Sequence, residues 1–207
     1  MSVPAPSAVA PAPEQLVDHR GAPRGPVTMP LSYEAMRLSL AFHEAGHAVL
    51  ALAYDMRVLT SEVIAWTEDD GRPHVTGLTT TEVRLDRVHP WRFAAQCAAG
   101  SVAQVQYLLT HGLWTPQTAV GCTAAHDREQ AIDVLAEWGY RLDRDKVPVG
   151  GKSWAMVRGM ARRKISHLWP QIRITAHALS DHTTLSGDDI AALTGMRNPA
   201  INEGAAA

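Results

Sequence analysis

The residues His43-Glu44-Ala45-Gly46-His47 sit inside a nearly unbroken apolar run from Leu38 to Ala53, and this combination constrains the fold more than anything else in the chain. Apolar residues at 38, 40, 41, 42, 45, 49, 50, 52 and 53 leave almost no polar face, so a helix through this run is buried on every side. It carries two imidazoles and a carboxylate into a core, where unpaired polar groups cost several kcal/mol. Two histidines four apart on an α-helix differ by about 40° in azimuth and about 6 Å in rise, so both rings reach one point from one face. A zinc ion about 2.0–2.1 Å from each nitrogen fits that geometry and satisfies the buried pair. Glu44 lies beside the same face, where its carboxylate can take a proton from an activated water without itself being a ligand. With ten histidines in the chain, an H-E-x-x-H pattern is expected by chance only about 0.02 times.

The third metal ligand must come from elsewhere. A metzincin helix would carry Gly at position 50 and His at position 53; the chain has Leu50 and Ala53, which excludes that class. The best downstream segment is Thr123-Ala124-Ala125-His126-Asp127-Arg128-Glu129-Gln130-Ala131-Ile132. It offers three candidates. His126 has the commoner zinc-binding side chain, and Glu129 with Asp133 makes an E-x-x-x-D pattern in which a glutamate binds metal and an aspartate orients a histidine. Asp127 is the third. Their side chains point about 60° or more apart on a helix, so only one readily completes a site.

The motif H-E-A-G-H-A, followed by Ala124, Asp127 and Ala131 in a G-A-x-x-D-L-x-x-A-T-like helix start, resembles the peptidase domain of the FtsH family. Three further segments are similar in order and spacing. Ser61 to Trp66 with His74 to Thr79 resembles the family's hairpin after the zinc helix. Ala98-Ala99-Gly100-Ser101-Val102-Ala103-Gln104 resembles its G-G-R-A-A-E helix, with Ser101 and Gln104 in place of arginine and glutamate, and Ala176 to Ile190 resembles its closing segment. The likeness runs from about residue 33 to 195. It implies a mainly α domain with one small β-hairpin sheet, Asp127 as third zinc ligand, and zinc-dependent cleavage of proteins or peptides; the alternatives are a metal-binding interaction or regulatory module of the same fold without proteolysis and another zinc amide hydrolase. It also implies contacts between peptidase domains, as in the family's hexamers. The chain has no G-x-x-x-x-G-K-[ST] phosphate loop and no apolar stretch of about 18 residues, so neither the family's ATPase module nor its membrane anchor is expected, and any ATPase partner would be a separate protein.

Composition agrees with one domain of ordinary size: 207 residues with 46% hydrophobic supply a substantial core. A net charge of −2 gives no electrostatic case for nucleic acid or an anionic membrane. Cys97 and Cys122 are too few for a disulfide scaffold and read as buried free thiols, and the absence of a signal-like start argues for a cytoplasmic protein. Of thirteen prolines, those at 4, 6, 11, 13, 23, 26 and 30 fall within residues 1–30, which read as an extended or disordered tail. The domain is expected over 31–197, with a flexible tail over 198–207.

Ser32 is placed to cap a helix running to about Tyr54. β-branched residues in 58–64 and 75–80, either side of Glu68-Asp69-Asp70-Gly71-Arg72-Pro73, predict a hairpin, and periodicity predicts helices over about 90–112, 123–140, 151–180 and 187–195. Gly46 costs about 1 kcal/mol in a helix interior, which suggests another backbone packed closely against it. A protease holds its peptide extended, and a strand edge does this through backbone hydrogen bonds. Val75, Thr76, Gly77 and Leu78, running on to Thr79 and Thr80, are the candidate substrate edge. The scattered histidines, His19 among them, read as surface or satisfied core residues.

Overall fold

The computed structural model describes residues 4–23, 29–84 and 86–200. The Ser32 Oγ accepts from the Ala35 N–H at 3.3 Å, and helix α1 runs Tyr33–Ala53. Every residue from 39 to 52 is buried, as the all-round apolar pattern requires. After α1 come strands β1 (Arg57–Thr67) and β2 (Pro73–Glu82), then helices α2 (Pro90–Cys97), α3 (Ala99–Thr110), α4 (Pro116–Gly121) and α5 (Ala125–Glu137). The two-residue strands β3 (Leu142–Asp143) and β4 (Lys152–Ser153) lead into α6 (Trp154–His182), β5 (Thr184–Ser186) and α7 (Gly187–Thr194).

Helix α1 is the axis of the molecule, packed between α6, α3 and the β1–β2 pair. Phe42, fully buried, stacks on Tyr107 of α3 at 4.6 Å and on Trp169 of α6 at 5.2 Å between ring centroids. Burial of such a ring contributes about 1.5–3 kcal/mol, and each well-placed aromatic pair about 0.5–1.5 kcal/mol more. Arg37 is buried in the same helix and donates to the Ser180 carbonyl at 3.1 Å and to the Thr183 hydroxyl at 3.0 Å, tying α1 to the end of α6. The close approach expected at Gly46 is with α3: a Cβ there would lie 2.7 Å from the Ala99 carbonyl oxygen.

The chain is mainly helical with a small antiparallel sheet. Its strand order is β2-β1-β5, so the expected hairpin is joined by a third strand paired to residues 60–62 of β1. Three residues are too few for an alternating pattern to show in the sequence. The single helix expected over 90–112 is two, broken at Ala98, because α3 turns to press on α1. The break has no glycine or proline to announce it. Cys97 and Cys122 are both free and buried. Among the described residues no helix is long and apolar enough to cross a membrane.

The ends of the chain differ from expectation. Residues 4–23, read as an extended or disordered tail, lie along the domain. Ser7 bridges β1 through Ser7 N–H to Ala65 carbonyl at 2.9 Å and Thr67 N–H to Ser7 carbonyl at 2.8 Å, and Tyr33 Oη donates to the Pro4 carbonyl at 2.8 Å. Met29 belongs to the core. The segment holds one turn of 3-10 helix over Pro13–Leu16, and composition cannot register the long-range partners that seat the rest. At the other end Asn198 bonds both the amide and the carbonyl of Val58, each at 3.0 Å, so the ordered domain extends past residue 197. Residues 201–207 of the expected flexible tail lie outside the described residues.

Candidate metal centre

His43 and His47 leave α1 on one face, and their Nε2 atoms are 3.0 Å apart. Asp127, in the first turn of α5, brings Oδ2 to 3.2 Å from His43 Nε2 and 3.3 Å from His47 Nε2. All three side chains are buried, and their ligand atoms lie within 4.8 Å of one another. The segment that supplies Asp127 enters through Ala124, which has φ 38°, ψ 55°. Left-handed backbone at a residue with a Cβ costs of order 1 kcal/mol and persists only where the surroundings enforce it.

Each imidazole is oriented from behind. His43 Nδ1 donates to Gln104 Oε1 at 3.2 Å, and Gln104 Nε2 in turn donates to Ser39 Oγ at 3.1 Å. His47 Nδ1 donates to the Gln96 carbonyl at 2.8 Å. Gln96 stands in the last turn of α2, where its carbonyl accepts from the Ala98 N–H and uses its second lone pair for His47. With Nδ1 of each ring engaged from behind, both Nε2 atoms face Asp127. Gly100 completes the seat. A Cβ at this position would collide with the Nε2 atoms of both histidines, in the space an ion about 2.0–2.1 Å from each nitrogen requires.

The electrostatics suit a cation. Burial by itself lowers the His47 pKa, but the Asp127 carboxylate, with smaller help from Glu44 and the Gln96 carbonyl, carries it up to about 9. Burial opposes ionisation of Asp127, yet His47, His126 and His43 hold its carboxyl well below the usual carboxylate range. A cation at this point would take the place of the proton that balances the cluster.

Of the three candidate third ligands, Asp127 alone reaches the histidines. His126 Nε2 contacts the other Asp127 oxygen, Oδ1, at 3.0 Å, in a supporting position. Glu129 points away into an ion pair with Arg144, whose Nε is 2.9 Å from Oε1, and with Arg128. Asp133 is held by Arg20 and His19. The E-x-x-x-D alternative therefore has both carboxylates committed elsewhere.

Glu44 is clamped by β2. Thr79 Oγ1 donates to Glu44 Oε2 at 2.7 Å and accepts from Ser61 Oγ at 2.9 Å, while a Cβ on Gly77 would lie 2.5 Å from Glu44 Oε1. Two cavities meet at this carboxylate. One, of about 230 Å³, is lined by Glu44, His47, Asp127, Gly77, Leu78 and Thr79; the other, of about 510 Å³, by Glu44, His43, Thr76, Gly77 and Gln104, among others. Strand β2 lies at the sheet edge and runs past both. Of the four residues expected to hold substrate, Thr76, Gly77 and Leu78 line the cavities, whereas the Val75 side chain is fully buried in the core. Alternation along a strand accounts for this, since residues 75 and 76 face opposite ways.

Sequence reasoning missed Gly100, the Gln96 carbonyl and the Thr79 clamp. Gly100, like Gly46, is a glycine inside a helix, and at both positions it marks a close approach. No protein-family model matches the chain, and no curated protein matches it.

Proposed function

We propose that the chain is a zinc-dependent endopeptidase with an FtsH-like peptidase domain, acting on unfolded or flexible proteins. One observation carries the reading: two oriented histidines and a buried aspartate surround a gap that only a glycine at position 100 leaves open, with a clamped carboxylate beside it. Bound there, zinc supplies Lewis acidity, lowering the pKa of a water and polarising a carbonyl. His43, His47 and Asp127 hold the ion. Gln104 and the Gln96 carbonyl keep the Nδ1 protons in place, so that both Nε2 atoms stay free to ligate. Glu44 accepts the proton of the attacking water and returns it to the leaving amine, and Thr79 keeps one carboxylate oxygen fixed while it does so. The edge of β2 holds the peptide extended through backbone hydrogen bonds, so side-chain identity is read only weakly. Partners of this reading are a protein or peptide substrate, further copies of the chain and a separate ATPase that unfolds substrates.

A second reading has one observation behind it. The cavities beside Glu44 are small and partly covered by residues 17–23, which suits another zinc amide hydrolase with small substrates. Hydrolysis of casein and of a small amide, each with and without a chelator, separates the two. The same assay on Glu44→Gln tests the base: zinc stays near one per chain while hydrolysis is lost. Zinc loss on that substitution, or activity within about tenfold of wild type, rejects the role.

A further inference from the structure

Residues 17–23 cross the metal centre. Val17, Asp18 and His19 line the smaller cavity together with Glu44, His47 and Asp127; Asp18 and Pro23 line the larger one with His43 and Glu44. Asp18 belongs to both, so the segment passes over the point where the cavities meet. It does so as a closed turn. The Asp18 N–H donates to the Ala22 carbonyl at 2.8 Å, and Asp18 Oδ1 accepts from the Arg20 and Ala22 amides at 2.9 Å each. That oxygen is held by its own turn, and Asp18 is not in the group formed by His43, His47 and Asp127.

The turn is anchored on the helix that carries Asp127. Arg20 Nε donates to Asp133 Oδ2 at 2.6 Å and Nη2 to Asp133 Oδ1 at 2.7 Å, a two-pronged pairing, and His19 Nε2 lies 2.7 Å from Oδ2. Upstream, the contacts of Ser7 with β1 and of Pro4 with Tyr33 fix the start of the segment. Two partly exposed charge pairs at one end and a few backbone bonds at the other make a docking that can open without unfolding the core.

We infer that residues 17–23 are an autoinhibitory strap: seated by Arg20 and His19 on Asp133, the turn roofs the metal centre and must swing away before a polypeptide can lie along β2 against Glu44. The geometry stands without the peptidase reading; the consequence for proteolysis rests on it. The segment leaves as a unit, because its internal hydrogen bonds do not depend on Asp133.

The test uses the full chain with Arg20→Glu, Asp133→Arg and both together. Cys97 lines the roofed cavity, whereas Cys122 is buried at the end of α4 and reports general loosening. Alkylation by iodoacetamide, followed by mass spectrometry of the two cysteine peptides, is expected to rise about fivefold at Cys97 relative to Cys122 in either single variant, the scale of losing a solvent-screened ion pair. It returns towards wild type in the double variant, where the charges are exchanged. Cleavage of casein by the zinc-loaded protein follows the same pattern. Unchanged Cys97 labelling in both single variants, or equal rises at both cysteines, overturns the strap. Labelling that follows the pattern in a protein that cleaves nothing upholds the roof over the site and rejects the peptidase reading instead. Raised labelling with unchanged cleavage in an active protein overturns the autoinhibition.

Discussion

Replacing Thr79 by valine removes one hydroxyl at nearly constant volume and isolates the clamp on Glu44. The Thr79 proton can serve a single acceptor at a time, and the carboxylate oxygen at 2.7 Å outcompetes the Glu44 main-chain carbonyl at 3.2 Å. A hydrogen bond to a charged group is worth about 1.5–3 kcal/mol, which at 1.4 kcal/mol per decade is a fall of about 10–150-fold in kcat/KM. Zinc content stays at wild-type level, because Thr79 touches no metal ligand. Ser61, fully buried, loses its partner as well, so global stability drops by about 1 kcal/mol in urea titration. Thr79→Ser keeps the hydroxyl and retains most of the activity. The assay is initial-rate cleavage of casein beside zinc quantification on the same preparation. A kcat/KM within about twofold of wild type at full zinc occupancy would refute the positioning argument; loss of zinc would move the contact from the base to the metal.

Other consequences are equally direct. Gly100→Ala puts a methyl group against both Nε2 atoms, so zinc binding is lost while the fold survives, the helix-propensity gain of about 1 kcal/mol offsetting part of the overpacking; full zinc occupancy in this variant would place the metal elsewhere. Asp127→Ala loses zinc and Glu129→Ala keeps it, and the reverse result by zinc quantification would exchange their roles. Glu129 also sets a pH dependence. The Arg144 guanidinium holds its pKa down at about 2, so its contribution is complete above the ordinary carboxylate value of 4.5 and fades as pH falls towards 2. With Arg144 half exposed, solvent screening leaves about 1 kcal/mol. Urea titrations of wild type and Glu129→Gln are therefore expected to differ by that amount at pH 7 and to converge near pH 2; a difference that persists at pH 2 would show that charge is not the cause.

Much of the scaffold was legible because it is written in local patterns. Ser32, the all-round apolar run and the four-residue spacing of His43 and His47 specify a buried helix with two imidazoles on one face, and nothing distant is needed to read them. The hairpin follows from β-branched residues on either side of a polar turn. The helices at 125–137, 154–182 and 187–194 follow from the periodicity of 123–140, 151–180 and 187–195.

What the sequence left open was settled between residues far apart in the chain. His126, Asp127 and Glu129 are neighbours with equally plausible chemistry, and the choice among them depends on how α5 is docked: its entry through Ala124 turns Asp127 inward, while Arg144 draws Glu129 out. The two groups that orient the histidines lie 61 and 49 residues away, and one is a main-chain carbonyl, which no side-chain motif can encode. The N-terminal segment carries the same lesson. Its prolines keep it out of a long helix or a central strand, and that much is local, but where such a chain lies is decided by partners such as Asp133, 113 residues from Arg20. Dihedral preferences and hydrophobic periodicity act within a few residues and are readable one window at a time; which carboxylate meets the histidines, what orients their rings and what lies over them arise only when packing brings distant windows together.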